Sequence, residues 1–225
     1  MAAHAFVDDL DAPVLSPDDR HHLERVLRLR AGEELTVSDG VGGWRRCRFG
    51  PALDPVDEVR YDARPSPSLT VAFAVVKGQR PEWAVQKLTE IGVDRIVPLV
   101  TARSVVRWPV GAPSSPLDRL RRVAREASMQ SRRTWLPQVG EVATFATMAA
   151  EAGVVLAHPD GGPPSLSRRT VLIGPEGGWD DAELGAALPH LRLGAHVLRT
   201  ETAAFVAGTL LGALRDDVVR NGRDP

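Results

Sequence analysis

The chain has 225 residues, with 28 Lys and Arg against 29 Asp and Glu, a formal net charge of −1 at pH 7, and 43% hydrophobic residues. That content is ample for a packed core in one large domain or two unequal ones, and no apolar run approaches the length of a membrane span. A charge this close to zero excludes a protein that grips nucleic acid by bulk positive potential alone. Cys47 is the single cysteine and the six His residues show no metal-ligand spacing, so neither a disulfide framework nor a metal is expected. The acidic start (Asp8, Asp9, Asp11) lacks the features of a signal peptide, and cytoplasmic residence is the expectation.

In chain order, Ser16 and Pro17 open a capped helix over 16–30, with Leu23, Val26 and Leu27 at helical spacing. Strand-like pieces at 34–38, 44–49 and 56–61 follow, separated by Gly-rich turns, and predict a small β-barrel-like module. Within 44–49 the alternation places Trp44, Arg46 and Arg48 on one face. Such groups stack on bases and neutralise phosphates, but a barrel strand with Cys47 and Phe49 inward and a solvated Arg face has the same pattern. The stiff, polar run Arg64-Pro65-Ser66-Pro67-Ser68 then marks a boundary, giving domains 1–66 and 67–225.

Beyond it the sequence alternates: strand 69–76, helix 81–91 with Pro81 in its first turn and Gly92 at its end, and strand 95–100. Helix 117–131, strands 154–157 and 170–173, helix 182–188, strand 197–198 and helix 202–215 complete the series. This predicts an α/β domain with a parallel sheet and ligands at the carboxyl ends of its strands. The helix ending at Ser131 carries Arg119, Arg121, Arg122 and Arg125 against Asp118 and Glu126, then Arg132 and Arg133, a solvated basic face or an RNA contact. The last helix is rich in apolar residues (Ala203, Phe205, Val206, Leu210, Leu211, Leu214), and periodicity alone does not separate a core helix from an interface.

The most informative stretch is Leu172-Ile173-Gly174-Pro175-Glu176-Gly177-Gly178, with Leu198-Arg199-Thr200-Glu201-Thr202-Ala203 downstream. The first runs from a β-branched strand into a turn whose glycines let main chain approach a ligand. The second enters the last helix, where free N–H groups also point. Neither a Walker-type Gly-Lys-Ser/Thr nor a Gly-x-Gly-x-x-Gly fingerprint is present, and Glu176 repels a pyrophosphate but suits a cationic or donor-rich ligand. A tight turn with Asp180 and Glu183 in a capping-box-like helix start is the plainer meaning of the same residues.

These loops, with Leu193-Gly194, resemble the paired cofactor loops of the RsmE family, SPOUT-class enzymes that methylate uracil N3 of a uridine in 16S ribosomal RNA. The resemblance extends through Val76-Lys77-Gly78-Gln79-Arg80, Gln86-Lys87-Leu88-Thr89-Glu90-Ile91-Gly92-Val93, Pro98-Leu99, Arg103-Ser104-Val105-Val106 and Glu126-Ala127-Ser128-Met129-Gln130-Ser131. It also reaches His21-His22-Leu23 and Arg25-Val26-Leu27-Arg28-Leu29-Arg30, and so covers nearly the whole chain in the family's order. Departures are a short Pro-, Gly- and Ser-rich loop at 108–116, Arg132 where Gly is common, and Ala195-His196 for a frequent Pro-Arg pair.

The resemblance implies a SPOUT-type parallel sheet with a C-terminal trefoil knot, preceded by a small PUA-like β-barrel RNA-binding domain. Pattern alone predicts an unknotted doubly wound sheet. It further implies S-adenosyl-L-methionine as cofactor, a homodimer, and 16S rRNA of the small ribosomal subunit as partner, with no membrane and no metal. Ile173, Gly174, Pro175, Glu176, Gly177, Gly178, Leu193, Gly194, Leu198, Thr200, Thr202 and Ala203 are the implied cofactor-binding residues. Arg199 and Glu201 are the catalytic candidates. Arg20, Arg25, Arg28, Arg30, Lys77, Lys87, Arg103, Gln130 and Ser131 are the RNA-binding candidates; Lys77 and Lys87 are the only lysines of the chain. A SPOUT ribose 2′-O-methyltransferase and a non-catalytic ribosome-assembly factor are the alternatives.

Overall fold

Two compact units divide the chain, residues 1–64 with 125–136 and residues 65–124 with 137–225, in a computed structural model that describes residues 3–111 and 115–219. The return of 125–136 to the first unit has no signature in composition or periodicity. Of the loop 108–116, residues 112–114 lie outside the described residues.

The first unit is built on a five-stranded mixed sheet. Strand β1 (Ala3–Phe6) runs parallel to β2 (Glu34–Ser38), which pairs antiparallel with β3 (Gly43–Arg48). The short β4 (Asp54–Pro55) and β5 (Arg60–Tyr61) both pair with β3. Alternation puts Leu35, Val37, Cys47 and Phe49 into the core. Burial pushes the Cys47 thiol up to about 11, so it stays protonated and unreactive near neutral pH.

The helix expected over 16–30 is shorter. Helix α1 (Pro17–His21) is capped by Ser16, whose Oγ accepts the Asp19 N–H at 3.1 Å, and it passes into a π-helical turn over His22–Val26. The Leu27 N–H reaches back to the His22 carbonyl at 3.0 Å. The wider turn inserts a residue and shifts the helical phase. Of the three periodic positions only Leu23 therefore meets the core, while Val26 and Leu27 are 62% and 50% exposed.

Arg125 does not belong to a solvated basic face. Its guanidinium makes a two-pronged pair with the buried Asp19, at 2.8 and 2.6 Å, and lies over the Phe6 ring. Burial pushes the Asp19 carboxyl up, but the hydrogen bonds from Arg125 and Ser16 outweigh it and hold the group below the usual carboxylate range.

His4 is buried with its Nδ1 against Thr36 Oγ1 at 2.7 Å. Burial, reinforced by the Arg132 charge, lowers its pKa from 6.5 to about 4. The unfolded chain then binds more protons than the fold between those values, so stability falls as pH drops through that window and levels off below it. The effect is roughly 3 kcal/mol. Urea midpoints at pH 7 and pH 5 should drop less in His4→Gln than in the unaltered protein; equal drops would remove His4 as the cause.

The second unit holds a parallel seven-stranded sheet: β6 (Thr70–Ala74), β7 (Arg95–Val100), β8 (Gln138–Val139), β9 (Ala143–Thr144), β10 (Val154–Gly162), β11 (Thr170–Ile173) and β12 (His190–Leu191). Their order is β12-β10-β11-β6-β7-β8, with β9 also on β7. Helices α2 (Arg80–Glu90), α3 (Ser115–Ser131, its end in the first unit), α4 (Phe145–Ala149), α5 (Asp181–Leu184) and α6 (Thr200–Arg215) alternate with them. The central strands β6 and β11 are buried along their whole length, as expected for a sheet covered on both faces.

Two expectations fail here. The helix foreseen over 182–188 stops at Leu184, where Gly185 follows and Ala187 adopts a positive φ of 55°. Residues 197–198 form no strand; Val197 is 94% exposed, and the edge strand is β12 instead. Helix α6 lies against α2 through Gly208, where a Cβ would come within 2.8–2.9 Å of Ile91, Leu88 and Val93 side-chain atoms. A small residue at this crossing is what lets the last helix pack so close.

Candidate cofactor site

Strand β11 delivers the chain to Gly174, and residues 175–178 close a turn through the Gly178 N–H to the Pro175 carbonyl at 2.8 Å. Gly178 has a φ of +71°, a conformation that favours glycine. A Cβ on Gly174 would lie 3.1 Å from the Trp179 ring, and the Trp179 Nε1–H donates to the Ala157 carbonyl at 3.0 Å. The turn is thereby tied to the region where β10 leaves its pairing with β11. Helix α5 starts with a full capping box: the Glu183 N–H donates to Asp180 Oδ1 at 2.7 Å and the Asp180 N–H to Glu183 Oε2 at 3.0 Å. The other Glu183 oxygen accepts the Ala102 N–H at 2.8 Å, adding the loop after β7 to the same scaffold.

The second loop runs from β12 to α6. Thr200, in the first turn of α6, donates its hydroxyl to the Gly174 carbonyl at 3.0 Å, so the two loops meet directly. Together they line a cleft of about 770 Å³, within the range of small-molecule sites. Ile173, Gly174, Pro175, Glu176, Gly178, Leu193, Gly194, Leu198, Thr200 and Ala203 border it, and so does Arg199. Gly177, Thr202 and Glu201 do not. The lining also includes Ala157, His158 and Pro159 from β10, Trp179, Leu184, and Arg192 and 195–197 from the second loop. Sequence reasoning missed these. The Trp directly after the glycine turn and the His-Pro pair after a buried strand were the available signals.

Outside the cleft, two arginines brace the glycine turn. Arg80 donates to Glu176 Oε1 at 2.6 Å and to the Lys77 carbonyl at 3.2 Å. It also stands 3.7 Å from Glu201 Oε2, a buried oxygen with no hydrogen bond. Glu176 thus faces a protein cation. Arg103 donates to the Gly177 carbonyl at 3.0 Å, so this RNA candidate also supports the turn.

Other RNA candidates have internal partners too. Arg20 donates to the Gly50 and Pro51 carbonyls at 2.9 and 3.1 Å. Lys87 pairs with Glu90 at 2.7 Å, and the Ser131 hydroxyl bonds the Ala127 carbonyl at 2.7 Å. Arg25, Arg28, Arg30, Lys77 and Gln130 are exposed. The α3 arginines are largely paired, Arg119 with Glu82 at 3.1 Å and Arg121 with Asp118 and Glu141. Among the described residues no group of three or more His, Cys, Asp or Glu is placed to hold a metal, and no helix is long and apolar enough to cross a membrane.

Thr200→Val keeps the shape of the side chain but leaves the Gly174 carbonyl without its donor, a loss of about 1–2 kcal/mol. Calorimetry with S-adenosylmethionine, the cofactor that the sequence resemblance implies, should show binding weakened about tenfold. Unchanged affinity would mean that the two loops keep their spacing without this bond.

A family model for an RNA methyltransferase domain matches residues 64–212, and one for an RNA methyltransferase PUA domain matches residues 15–50. The ribosomal RNA small subunit methyltransferase E of Mycobacterium bovis is 33% identical over 89% of this chain and 86% of its own length. That of Synechocystis sp. is 35% identical over 86% of this chain and 70% of its own. Among solved structures, a putative methyltransferase from Legionella pneumophila in complex with bound cofactor SAM is 28% identical, with a TM-score of 0.79 over 95% of this chain and 98% of that one.

Proposed function

We propose, on the premise that this chain belongs to the ribosomal RNA small subunit methyltransferase E family, that it methylates N3 of a uridine in 16S ribosomal RNA with S-adenosylmethionine. The observation that carries this reading is the convergence of the glycine turn and the start of α6 on one cleft, joined by the hydrogen bond from Thr200 to Gly174.

The residues present fit the cofactor. The glycine turn and the segment 193–198 offer main-chain groups and close backbone approach, while Ile173, Leu193, Leu198 and Ala203 offer apolar contacts. Bound S-adenosylmethionine supplies an electrophilic sulfonium methyl. The chain's own task is to hold the uracil in line and to stabilise the charge left when N3 loses its proton. Arg199, exposed on the cleft wall, is placed to offset negative charge on the uracil carbonyl oxygens. Glu201, buried beside Arg80 and outside the cleft lining, orients the site through Arg80 rather than meeting the base. The target base must be unpaired or flipped to expose N3, and the exposed Arg25, Arg28, Arg30, Lys77 and Gln130 are the proposed RNA contacts.

The finer architecture follows the same premise. The domains are proposed as a PUA-like β-barrel over 1–66, which residues 125–136 rejoin, and a SPOUT domain over the rest of 67–225. The segment leading into α6 is threaded as a trefoil knot. The chain works as a homodimer in the cytoplasm, with α6 contributing to the interface; Trp83, 41% exposed, stands edge-on to Phe205 of α6 on that face.

Mass spectrometry of nucleosides from 16S rRNA, treated with the protein and S-adenosylmethionine in small subunits lacking the modification, tests the reaction. N3-methyluridine is the expected product. A ribose-methylated nucleoside, or none, would overturn the assignment.

A further inference from the structure

β5 sets Arg60 opposite Trp44 on one side of the sheet, and just past it the Asp62 N–H donates to the Gly42 carbonyl at 2.9 Å. Asp62 organises that side. Its Oδ1 accepts the Trp44 Nε1–H at 3.0 Å, its Oδ2 the Thr134 hydroxyl at 2.8 Å, and its carbonyl the Trp135 Nε1–H at 3.1 Å. Two indoles are thus pinned by their polar edges to a single residue. Each carries a cationic plane: the Arg60 guanidinium lies 5.2 Å from the Trp44 ring centroid and that of Arg64 5.5 Å from the Trp135 ring centroid. Beneath Trp135 is Gly42, with a φ of +101°, where a Cβ would come within 2.7 Å of the ring.

Neither indole serves the apolar core. Trp44 and Trp135 are absent from the first unit's core cluster, and both are half-buried. A core explains Trp by burial, and a lone surface Trp needs no explanation. Two rings fixed edge-on to one residue, Trp44 through the Asp62 carboxylate and Trp135 through its carbonyl, and roofed by arginines are arranged for planar, electron-rich, negatively charged material. Nucleobases stack on indoles and on guanidinium planes, and arginines neutralise the phosphates between them.

We propose that Trp44, Trp135, Arg60 and Arg64, organised by Asp62, form a stacking platform for unpaired nucleotides of the RNA substrate, apart from the proposed contacts at 25–30. The platform rests on the RNA methyltransferase reading and adds to it a second, sequence-tolerant grip on single-stranded RNA. Asp62 is its positioning residue; the rings and guanidinium groups touch the RNA.

Fluorescence anisotropy of a labelled ten-nucleotide oligouridine tests it. Trp135→Ala and the double variant Arg60→Ala, Arg64→Ala should each weaken binding by about tenfold or more, with affinity for S-adenosylmethionine unchanged as the check on folding. The double variant alters only exposed side chains, so it decides the matter if the Trp variant fails to fold. Ultraviolet crosslinking of the unaltered protein should attach the oligonucleotide to peptides containing Trp44 or Trp135. Unchanged affinity in the double variant, crosslinks confined to other peptides, or no binding by the unaltered protein would overturn the platform. Methyl transfer to 16S rRNA that persists alongside any of these leaves the enzymatic reading standing; absence of transfer with oligouridine binding intact defeats that reading and not the platform.

Discussion

Arg199→Ala should lower turnover by about 100-fold while leaving the affinity for S-adenosylmethionine within a factor of about two, because in the proposed reaction the side chain acts on charge that develops only in the transition state. Arg199 occupies the N-cap position of α6 and lines the cleft with an exposed side chain. In this it differs from Arg80 and Arg103, whose guanidinium groups are spent on Glu176 and the Gly177 carbonyl. Removal of the N3 proton leaves an anionic uracil with its charge on the flanking carbonyl oxygens, and a cation there lowers the barrier without tightening the ground state. Arg199→Lys should recover part of the rate, since it restores a charge but not the planar fork. Single-turnover rates with saturating RNA, read beside calorimetric affinities, separate the two effects. Normal single-turnover rates in the Ala variant would end the proposed role; equal loss of rate and cofactor affinity would reassign Arg199 to holding the loop.

The parts of this molecule legible in its sequence are those set by local chemistry. The β-branched run 170–173 is a strand with the expected ends. Pro81 opens α2 and Gly92, at a φ of +88°, follows its end. The Asp180 and Glu183 capping box closes as its spacing requires. The glycine turn and the entry to α6 meet across 26 positions of sequence, and that was readable because both loops follow short apolar stretches in an alternating α/β pattern. What escaped is what distance in sequence hides. Arg125 finds Asp19 106 residues away and Arg80 finds Glu176 96 residues away, and no period announces either pair. The π-helical turn at His22–Val26 broke a helical pattern that looked continuous. Residues as short-paired as β8, β9 and β12 have their conformation from neighbours in the sheet rather than from propensity. Of the two glycines of the β10 extension, Gly161 had a reason in contact: a Cβ there would collide with the backbone of Leu191.

Arg215→Ala should destabilise the second unit by about 3 kcal/mol, because it takes the paired cation from a nearly buried carboxylate. Arg215 and Asp94 have side chains only 6% and 11% exposed and pair at 2.7 Å. The same Asp94 oxygen accepts the Leu69 N–H at 2.9 Å, and the second Arg215 nitrogen donates to the Gly92 carbonyl at 3.0 Å. The last turn of α6 is in this way fastened to the entrance of β6 and to the turn between α2 and β7. Its first turn carries Thr200, which joins the two loops of the cleft, so one helix links the fastening to the proposed site. Thermal denaturation should show a fall of roughly 6–12 °C in the melting temperature. Asp94→Asn removes the charge, so Asp94→Asn with Arg215→Met should recover part of the loss relative to Arg215→Ala, since a neutral pair avoids the desolvation cost of a carboxylate deprived of its arginine. A drop of less than about 1 kcal/mol in Arg215→Ala, the range of exposed pairs, would show that water reaches Asp94 and that Gly208, packed on α2, holds the helix by itself.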